Sequence, residues 1–374
     1  MQASNHPDPT DPLKSGVFDR NTEWLRGDGD ACDVVMSSRV RLARNLAGFP
    51  FTSMASDIDQ HQVLDACKSR ILSMPIENES QVMWVDLHDS KRDDRLLLVE
   101  RQLMSRQHAK GKRSDGSGGS DSPRGLAVLL PDERMSVMVN EEDHLRMQVV
   151  RSGFALESCL HEINTLDDAI EEGIDYAYDA RFGYLTACPT NVGTGLRLSV
   201  MMHLPGLALS GELEKVRNAA CDMGLAVRGF YGEGSESAGD FYQVSNQTTL
   251  GKSDEMLLRE METEIIPRVI GYERHARSKM LKEQDTILRD RVHRAIGTLR
   301  HARLMKVEEA MELLSLARLG VLTGVVEGID LGVIHTLMLQ VQPAHLQKSL
   351  GLELTQQQRR SARAEIIRGR LGNS

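Results

Sequence analysis

Residues 188–197 read CPTNVGTGLR and run into the apolar stretch LRLSVMMHLPGL of residues 196–207. Thr, Asn and Gly residues before an apolar segment predict a loop that opens a helix. The first backbone N–H groups and the positive dipole end of such a helix attract anions. Arg197 would lie in the first turn of this helix. We therefore expect an anion-binding loop here, with a plain helix cap as the alternative.

Cys188 begins the same stretch. Next to an electropositive helix end its thiolate would be stabilised. A buried, unreactive thiol is an equally good interpretation, because free cysteines are often part of the core. The chain has 5 cysteines and no CxxC pair, which disfavours a disulfide framework and a zinc ribbon.

A pair of arginines lies further towards the N-terminus. Residues 37–45 read SSRVRLARN, and an extended segment over residues 34–41 would place Arg39 and Arg41 on the same side. Two guanidinium groups on one side repel each other unless an anion lies between them. A solvated run of charges is the alternative interpretation.

An acidic stretch follows a predicted strand. Residues 139–146 read VNEEDHLR, so three consecutive carboxylates leave the strand and Arg146 follows on the next helical turn. Arg228 ends another predicted strand before a second acidic loop. Each of these could be a solvated turn, but arginines at several strand and helix ends, with acids in two loops, predict one cleft that carries both signs of charge.

The pattern along the chain predicts an α+β fold. Apolar runs at residues 95–99, 126–130 and 135–139 have the length of strands, and a four-residue turn signal makes the last two a hairpin. A second hairpin is predicted for residues 225–230 and 241–245, joined by a long glycine-rich loop. Consecutive hairpins favour a largely antiparallel sheet with helices packed on it.

Outside this sheet the sequence changes in character. We expect a flexible leader over residues 1–33, where Pro, Asp and Gly are frequent, and a mobile insertion over residues 110–124. Helical periodicity begins at about residue 254. We place a domain boundary near residue 275, with a helical domain over residues 276–374.

The composition disfavours several classes of protein. The chain has 374 residues and a net charge of −9, which is unfavourable for wrapping nucleic acid. Aromatic residues make up only 4%, so a base-stacking surface is not expected. The N-terminus lacks the apolar run of a signal peptide, and charged residues interrupt the most apolar window. We expect a cytoplasmic protein that does not span a membrane.

Four stretches, in the order SSRVRLARN, VNEEDHLR, CPTNVGTGLR and RGFYGEGSE, resemble the catalytic domain of the phosphagen (guanidino) kinases, the family of creatine and arginine kinases. The resemblance spans about residues 34–275. Within the family the chain is most similar to bacterial protein-arginine kinases, which also lack the helical N-terminal domain and carry a helical C-terminal one. The resemblance implies a largely antiparallel sheet flanked by helices, followed by an all-helical domain.

The resemblance also implies the reaction and its residues. The γ-phosphoryl group of ATP, bound with Mg²⁺, would be transferred to the guanidinium of an arginine in a protein, and the Mg²⁺ would be held mainly through phosphates and water. Glu142 matches the catalytic carboxylate, with Glu141 beside it; Glu233 matches a second carboxylate, and Cys188 lies in the same site. The nucleotide site would comprise Ser37, Ser38, Arg39, Val40, Arg41, Gln102, Arg146, Arg197, Leu198, Ser199, Val200, Met201, Arg228, Gly229, Phe230, Tyr231, Gly232 and Glu233.

Elementary chemistry agrees with these roles. A guanidinium has a pKa above about 12 and becomes a nucleophile only when a proton is removed. A carboxylate within hydrogen-bond reach orients the planar fork and accepts that proton. The phosphoryl transition state is loose and spreads its charge over three oxygens, so arginines that bind phosphate oxygens bidentately stabilise it.

The helical domain carries a second resemblance. Protein-arginine kinases have an RDxxRA motif there that binds phosphoarginine allosterically. Arg359, Arg363 and Ala364 match this motif, but Arg360 replaces the aspartate. A solvated helix face or a patch for an anionic partner is the alternative interpretation of this arginine-rich helix.

Three hypotheses remain for function. The first is a protein-arginine kinase that acts in a stress response and marks proteins with exposed arginines for regulation or Clp-type proteolysis. It would have as partners its protein substrates, an activator protein, a Clp-type ATPase or protease, and further copies of the same chain. The second is a kinase of free arginine or another small guanidino compound. The third is a non-catalytic adaptor that binds phosphoarginine.

Overall fold

The computed structural model describes residues 21–75, 80–111, 122–229 and 238–372. These residues form two units. Of the described residues, the first unit contains residues 21–23, 41–149 and 161–196, and the second contains residues 24–40, 150–160 and 197–372. Four elements contribute residues to both units: β1 (Val35–Arg44), β5 (Leu145–Ser152), α4 (Leu156–Glu171) and β8 (Leu196–His203).

The first unit is built on antiparallel strands. They are hydrogen-bonded in the order β2-β3-β4-β5, and β3 and β4 form the first hairpin predicted from the sequence. A short hairpin, β6 and β7, follows helix α4. The elements are β2 (Gln81–Asp86), β3 (Gly125–Leu130), β4 (Met135–Val139), β5 (Leu145–Ser152), β6 (Tyr178–Asp179), β7 (Gly183–Tyr184), α1 (Asp57–Ser73), α2 (Arg92–Glu100) and α3 (Arg106–Lys110).

The second unit combines three strands with most of the helices. Its strands have the order β8-β10-β9, both pairs are antiparallel, and β9 with β10 forms the second predicted hairpin. The strands are β8 (Leu196–His203), β9 (Leu225–Gly229) and β10 (Phe241–Asn246), and the helices are α5 (Pro205–Leu209), α6 (Leu213–Asp222), α7 (Asp254–Arg259), α8 (Ile266–Glu283), α9 (Asp285–His301), α10 (Val307–Leu322), α11 (Leu331–Gln340), α12 (Pro343–Leu350) and α13 (Gln356–Leu371).

The core of the second unit joins strands to helices. Met201 of β8 and Phe241 of β10 are buried in the same apolar cluster as Leu314 of α10 and Leu337 of α11. Apolar residues at a spacing of three or four therefore produce the buried stripe of α10, as its periodicity predicts. The strands and the C-terminal helices of this unit share one core.

A buried polar network lies beside this core. His203, at the end of β8, accepts a hydrogen bond at Nδ1 from Arg318 (2.6 Å) and donates through Nε2 to Ser315 Oγ (2.8 Å). Arg318 also donates to the carbonyl oxygens of Cys32 and Asp33. Burial and the charge of Arg318 hold the pKa of His203 well below its usual range, so the ring is neutral and α10 is tied to the end of β8.

Three sequence predictions are wrong. Residues 95–99 are not a strand but part of helix α2, with Leu97 and Leu98 buried and two aspartates in its first turn. Residues 196–203 are not a helix but strand β8, with helix only from Pro205. In both cases a short, continuous apolar run fits a buried strand and a buried helix equally well, and its partners decide between them. Arg146 likewise lies on strand β5, not on a helical turn.

The antiparallel α+β architecture is confirmed. Helix α8 continues through residue 275 without a break, and the domain boundaries drawn from the sequence stay a prediction. Most of the leader and most of the insertion over residues 110–124 lie outside the described residues. Within the described part of the chain, no helix is both long and apolar enough to cross a membrane.

Candidate active site

The acidic stretch forms a tight turn between β4 and β5. The Asn140 N–H donates to the His144 carbonyl (3.0 Å) and the Glu141 N–H donates to the Asp143 carbonyl (3.1 Å). Asn140 has a positive φ of 60°, a conformation that asparagine adopts more readily than most residues. Its side-chain amide also donates to two backbone carbonyls, those of Gln60 and Pro123. The turn is therefore closed and anchored.

Glu141 is the buried carboxylate of this turn. It accepts hydrogen bonds from Ser105 Oγ (2.6 Å) and from the Arg146 guanidinium (2.7 Å). Burial alone would raise its pKa, but the charges of Arg146 and His108 and the bonds from Ser105 and Arg146 outweigh burial and lower the pKa of Glu141 to about 2. Glu141 is ionised at neutral pH and fully engaged with the protein.

Glu142 occupies the exposed position beside it. Its backbone N–H donates to Glu141 Oε2 (3.1 Å), so the buried carboxylate also holds the backbone that carries the exposed one. The side chain of Glu142 is open to solvent. Of the two glutamates, Glu142 is the one that a substrate can reach.

Asp143 connects the acidic turn to residues 185–187, which directly precede Cys188. Asp143 is buried, and its Oδ1 accepts from Asn45 Nδ2 (2.7 Å) and from the Ala187 N–H (2.7 Å). Asn45 also donates to the Leu185 carbonyl. The sequence analysis did not identify Asn45 or Ser105 as site residues. Asp143 is part of the acidic stretch, but nothing in the sequence indicated which residues would bind it.

The CPTNVGTGLR stretch is a glycine loop before a strand. Pro189–Asn191 form one 3₁₀ turn, and Gly193 and Gly195 have φ values of 114° and 69°. A Cβ on Gly195 would lie 2.6 Å from the Ala43 carbonyl oxygen, so only glycine fits. Cys188 is partly exposed, with its Sγ 3.0 Å from Thr190 Oγ1.

A buried arginine supports this loop. Arg44 donates to the Thr194 carbonyl (2.8 Å), pairs with Asp167 (2.6 Å) and lies 3.5 Å from the centre of the Tyr184 ring. The cation and the carboxylate are almost completely buried. This arginine was not singled out from the sequence, where it follows the pair predicted to bind an anion.

Three of the predicted arginines gather in the second unit. Arg39 donates to Ser199 Oγ (3.5 Å) and to Gln243 Oε1, and Arg197 donates to Ser245 Oγ (3.3 Å). The remaining member, Arg228 on β9, is paired in register with Gln243 on β10. Directly paired residues and residues two apart share one face of a sheet. These residues therefore form an arginine face: Arg39, Arg197, Ser199, Arg228, Gln243 and Ser245.

Arg41 follows Arg39 at the expected spacing. These two are the only partly exposed positions of β1, whose other residues are buried. They alternate with Val40 and so lie on the same side of the strand, as the sequence predicts. Arg41 and Arg146 belong to the first unit, with Glu141, Glu142 and Cys188, whereas the arginine face belongs to the second.

Several other residues that the sequence predicts to bind the nucleotide have buried side chains. Ser38 is buried, where its hydroxyl donates to the Gly153 carbonyl (3.0 Å) and accepts from the Ala155 N–H (2.9 Å). The side chains of Ser37, Val40, Leu198, Val200 and Met201 are buried as well.

Gln102 and Gly229, two further residues predicted to bind the nucleotide, lie at or just beyond the ends of a helix and a strand. Gln102 follows the end of α2 with a φ of 62°, and its carbonyl accepts from Gln148 Nε2 (2.7 Å). Gly229 is the last residue of β9. Phe230, Tyr231, Gly232 and Glu233 lie outside the described residues.

The RDxxRA-like residues lie on α13. Arg363 is buried and donates to the carbonyls of Val341 (2.6 Å) and Met305 (2.9 Å). Arg359 donates to the Leu354 carbonyl (2.7 Å), and Ala364 is fully buried. Both matched arginines therefore help to hold helix α13 in place.

The part of the chain that the structure describes contains no preformed metal site. Within residues 21–75, 80–111, 122–229 and 238–372, no group of three or more His, Cys, Asp or Glu side chains is arranged to hold a metal ion. The expectation that Mg²⁺ is held through nucleotide phosphates and water stays a prediction.

Two family models account for most of the chain. A model described as ATP:guanido phosphotransferase, C-terminal catalytic domain, matches residues 62–276, and one described as Protein-arginine kinase McsB C-terminal domain matches residues 285–374. The chain belongs to the protein-arginine kinase family. It is thus a guanidino phosphotransferase.

Individual relatives extend over the full length. The chain is 42% identical to a protein-arginine kinase of Halothermothrix orenii over 364 residues, 96% of this chain and 99% of the relative. It is 43% identical to the one of Symbiobacterium thermophilum over 351 residues, 94% and 96% of the two chains. Protein-arginine kinases therefore align with both the catalytic and the helical part.

Solved structures support the fold of the catalytic part. A duplicated taurocyamine kinase from Schistosoma mansoni, bound to transition-state analog components, matches with a TM-score of 0.56 and 28% identity, covering 65% of this chain and 33% of that one. A lombricine kinase matches with a TM-score of 0.55 and 23% identity over 66% of this chain and 68% of its own. The sheet flanked by helices is the phosphagen kinase fold.

Proposed function

We propose that this chain transfers the γ-phosphoryl group of ATP to the guanidinium of arginine residues in other proteins, with Glu142 as the base. The observation that carries the proposal is the acidic turn. One carboxylate, Glu141, is consumed by Arg146 and Ser105, and the adjacent one, Glu142, is exposed on the backbone that this pair holds. The names of the full-length relatives support protein-bound arginine as the acceptor.

The chemistry assigned to Glu142 follows from the acceptor. A guanidinium stays protonated near neutral pH, so a carboxylate must both align its N–H groups and accept a proton as the N–P bond forms and the bond from phosphorus to the ADP oxygen breaks. Glu141 does not take this proton, because its pKa of about 2 leaves it a weak base. We assign a second orienting carboxylate to Glu233, and Cys188 to the same acceptor site.

The arginines supply the phosphate site. Arg39, Arg197 and Arg228 share a face of the second unit, and we assign them, with Arg41 and Arg146, to the phosphate oxygens of ATP. Forked guanidinium groups bind such oxygens bidentately and stay charged at all relevant pH values. Mg²⁺, when bound to ATP, neutralises part of the phosphate charge, and we expect it to keep phosphate and water ligands.

Several finer roles are part of the same proposal. We propose that the modification marks proteins for regulation or Clp-type proteolysis in a stress response in the cytoplasm, with an activator protein and with self-association. The C-terminal family match supports an allosteric role for Arg359, Arg363 and Ala364. Because Arg363 already donates to two carbonyls, we expect phosphoarginine binding to compete with contacts that hold α13.

A small guanidino acceptor is the second candidate. The names of the structural neighbours, a taurocyamine kinase and a lombricine kinase, favour it. The matches to these kinases cover about two thirds of this chain, whereas the relatives named for protein-arginine phosphorylation match nearly all of it. Protein-bound arginine is therefore the better supported acceptor.

The test is incubation with Mg·ATP and an arginine-rich protein and, separately, with free arginine, followed by phosphorus NMR for an acid-labile P–N bond. Signal on protein is expected and should be absent with Glu142→Gln. Signal on free arginine alone would establish the second candidate. Tight ATP binding by calorimetry without any transfer would instead favour the phosphoarginine-binding adaptor.

A further inference from the structure

Two buried arginines from different helices bind the same pair of residues. Arg277 of α8 donates to the carbonyl oxygens of Asp33 and His203, both at 3.0 Å. Arg318 of α10 donates to the Asp33 carbonyl (3.1 Å), to His203 Nδ1 (2.6 Å) and to the Cys32 carbonyl (2.6 Å). We call Arg277 and Arg318 the arginine clamp. Each of them joins the residues just before β1 to the last residue of β8.

The arginine clamp acts on two strands that are neighbours in the second unit. The His203 N–H donates to the Val34 carbonyl (2.8 Å), and Ser199 Oγ of β8 donates to the Arg39 carbonyl of β1 (3.2 Å). Both bonds run between the two strands. Because β1 carries Arg39 and β8 carries Arg197, the position of β1 along β8 determines the spacing of these two arginines.

The segment that leads into β1 is anchored to the C-terminal helices. Trp24 and Leu25 are buried in the apolar core that α10 and α11 help to form. Further along the segment, the Asp33 carboxylate accepts two hydrogen bonds from Arg274 of α8, at 2.6 and 2.8 Å. The arginine clamp therefore binds a segment that is fixed to the same helices by apolar packing and by an ion pair.

Arg318 lies outside the part of the chain that matches the catalytic family model. That match ends at residue 276, whereas Arg318 lies in the C-terminal match over residues 285–374. Its side chain is fully buried, and its Nε also donates to His335 (3.1 Å). Burial of a guanidinium is costly, and an apolar side chain could fill the same space without that cost. An apolar side chain could not hold acceptors from several segments in fixed positions, as the donors of a planar fork do.

We propose that the arginine clamp positions the nucleotide site: it fixes β1 against β8 and thereby sets the spacing of Arg39 and Arg197 for the phosphates of ATP. The inference rests on the proposed function, because it takes ATP as the ligand of the arginine face. Arg277 and Arg318 are positioning residues that act through the strands. A helix of the C-terminal family match thus supports the phosphate-binding strands.

The decisive variant is Arg318→Met, which keeps an unbranched apolar stem but removes every hydrogen bond of the guanidinium. At a temperature where the variant is folded, we expect the Kd for Mg·ATP to rise about tenfold and kcat to fall about tenfold or more, because small displacements of binding groups are costly. The Kd for AMP should change about twofold or less, since one fork can bind a single phosphate whatever the spacing of the two arginines. Titration calorimetry measures both affinities.

Two further variants separate positioning from stability. Leu299→Ala, on α9, removes a buried side chain from the same apolar core but no hydrogen bond of the arginine clamp. It should lower the melting temperature as Arg318→Met does and leave the ratio of the ATP and AMP affinities at its wild-type value. Arg277→Lys keeps the positive charge beside Glu273 (2.6 Å) but loses the fork that bridges the two strands. It should also weaken ATP more than AMP, and it takes the place of Arg318→Met if that variant does not fold.

A role in stability alone predicts other results. If Arg318→Met lowers the melting temperature but leaves both affinities unchanged, or weakens ATP and AMP equally, the positioning role is overturned while the wild-type chain still phosphorylates arginine. Leu299→Ala overturns it as well if it weakens ATP alone to the same extent. A wild-type chain that neither binds ATP nor forms a P–N bond overturns the proposed function and this inference with it.

Discussion

The acidic turn of the first unit and the arginine face of the second both contain arginines, but the contacts of their guanidinium groups differ. In the turn, Arg146 forms an ion pair with Glu141, and the same carboxylate accepts the backbone N–H of Glu142. On the face, Arg39 donates to the amide oxygen of Gln243 and to Ser199 Oγ, and Arg197 donates to Ser245 Oγ. The turn can therefore be tested through stability and turnover, and the face through the affinity for ATP.

The largest effect should come from a buried ion pair whose members are not assigned to the proposed chemistry. Arg101 and Glu133 are almost completely buried and form a bidentate ion pair. Glu133→Ala leaves the guanidinium buried without its counter-charge and should lower the free energy of unfolding by about 3–5 kcal/mol in urea titration. The double variant Arg101→Met with Glu133→Met should recover most of the loss. A single variant as stable as the wild type would show that this ion pair does not stabilise the fold.

Next in size is the pH dependence of the acidic turn. Because the pKa of Glu141 falls from 4.5 to about 2 on folding, its contribution to stability is complete above about pH 4.5 and is lost as the pH falls through about 2. The shift corresponds to about 3 kcal/mol. Unfolding measured from pH 6 to 2 should show this loss in the wild type and a weaker dependence in Glu141→Gln. Parallel curves would contradict the pairing of Glu141 with Arg146.

Third is the exposed glutamate of the same turn. Glu142→Gln keeps the shape but removes the base, and turnover should fall about 100-fold or more with little change in melting temperature, because the side chain is exposed. Glu171→Gln, at another exposed position of the first unit, is the matched control. Near-normal turnover in Glu142→Gln would exclude it as the base.

The smallest effect should come from the arginine face. Arg197→Lys keeps the charge but loses the planar fork, so the KM for ATP should rise about tenfold while the melting temperature stays constant. Arg300→Lys on α9, whose guanidinium donates to the Leu371 carbonyl, should leave the KM unchanged. If Arg197→Lys and Arg300→Lys have the same KM for ATP, Arg197 does not bind the nucleotide through bidentate contacts.

Local patterns predicted much of the fold. The two hairpins follow from turn signals between apolar runs, and the common side of Arg39 and Arg41 follows from the two-residue period of a strand. The segment predicted as a helix over residues 196–207 begins as strand β8, in which Val200 and Met202 are buried and paired in register with Val244 and Tyr242 of β10. A continuous apolar run contains no period that could have revealed this.

The residues of the candidate site could be predicted only where they lie close together in the sequence. Glu141, Glu142 and Arg146 could be found from one short motif because they lie within six residues of each other. Their partners could not, since Ser105 is 36 residues from Glu141 and Gln243 is 204 residues from Arg39. Such contacts are created by folding, and a single sequence carries no local signal for them.

Strand β8 has a practical consequence for anyone who wishes to shorten this protein. One end carries Arg197; the other carries His203, which is bonded to Ser315 and Arg318 of α10, and Met201 lies in the core that the C-terminal helices complete. A truncation between the two family matches, near residue 280, would remove α10 and expose that core to water. Shortening the chain from the C-terminal side should therefore destabilise the strand that carries Arg197 before it removes any residue that we assign to ATP.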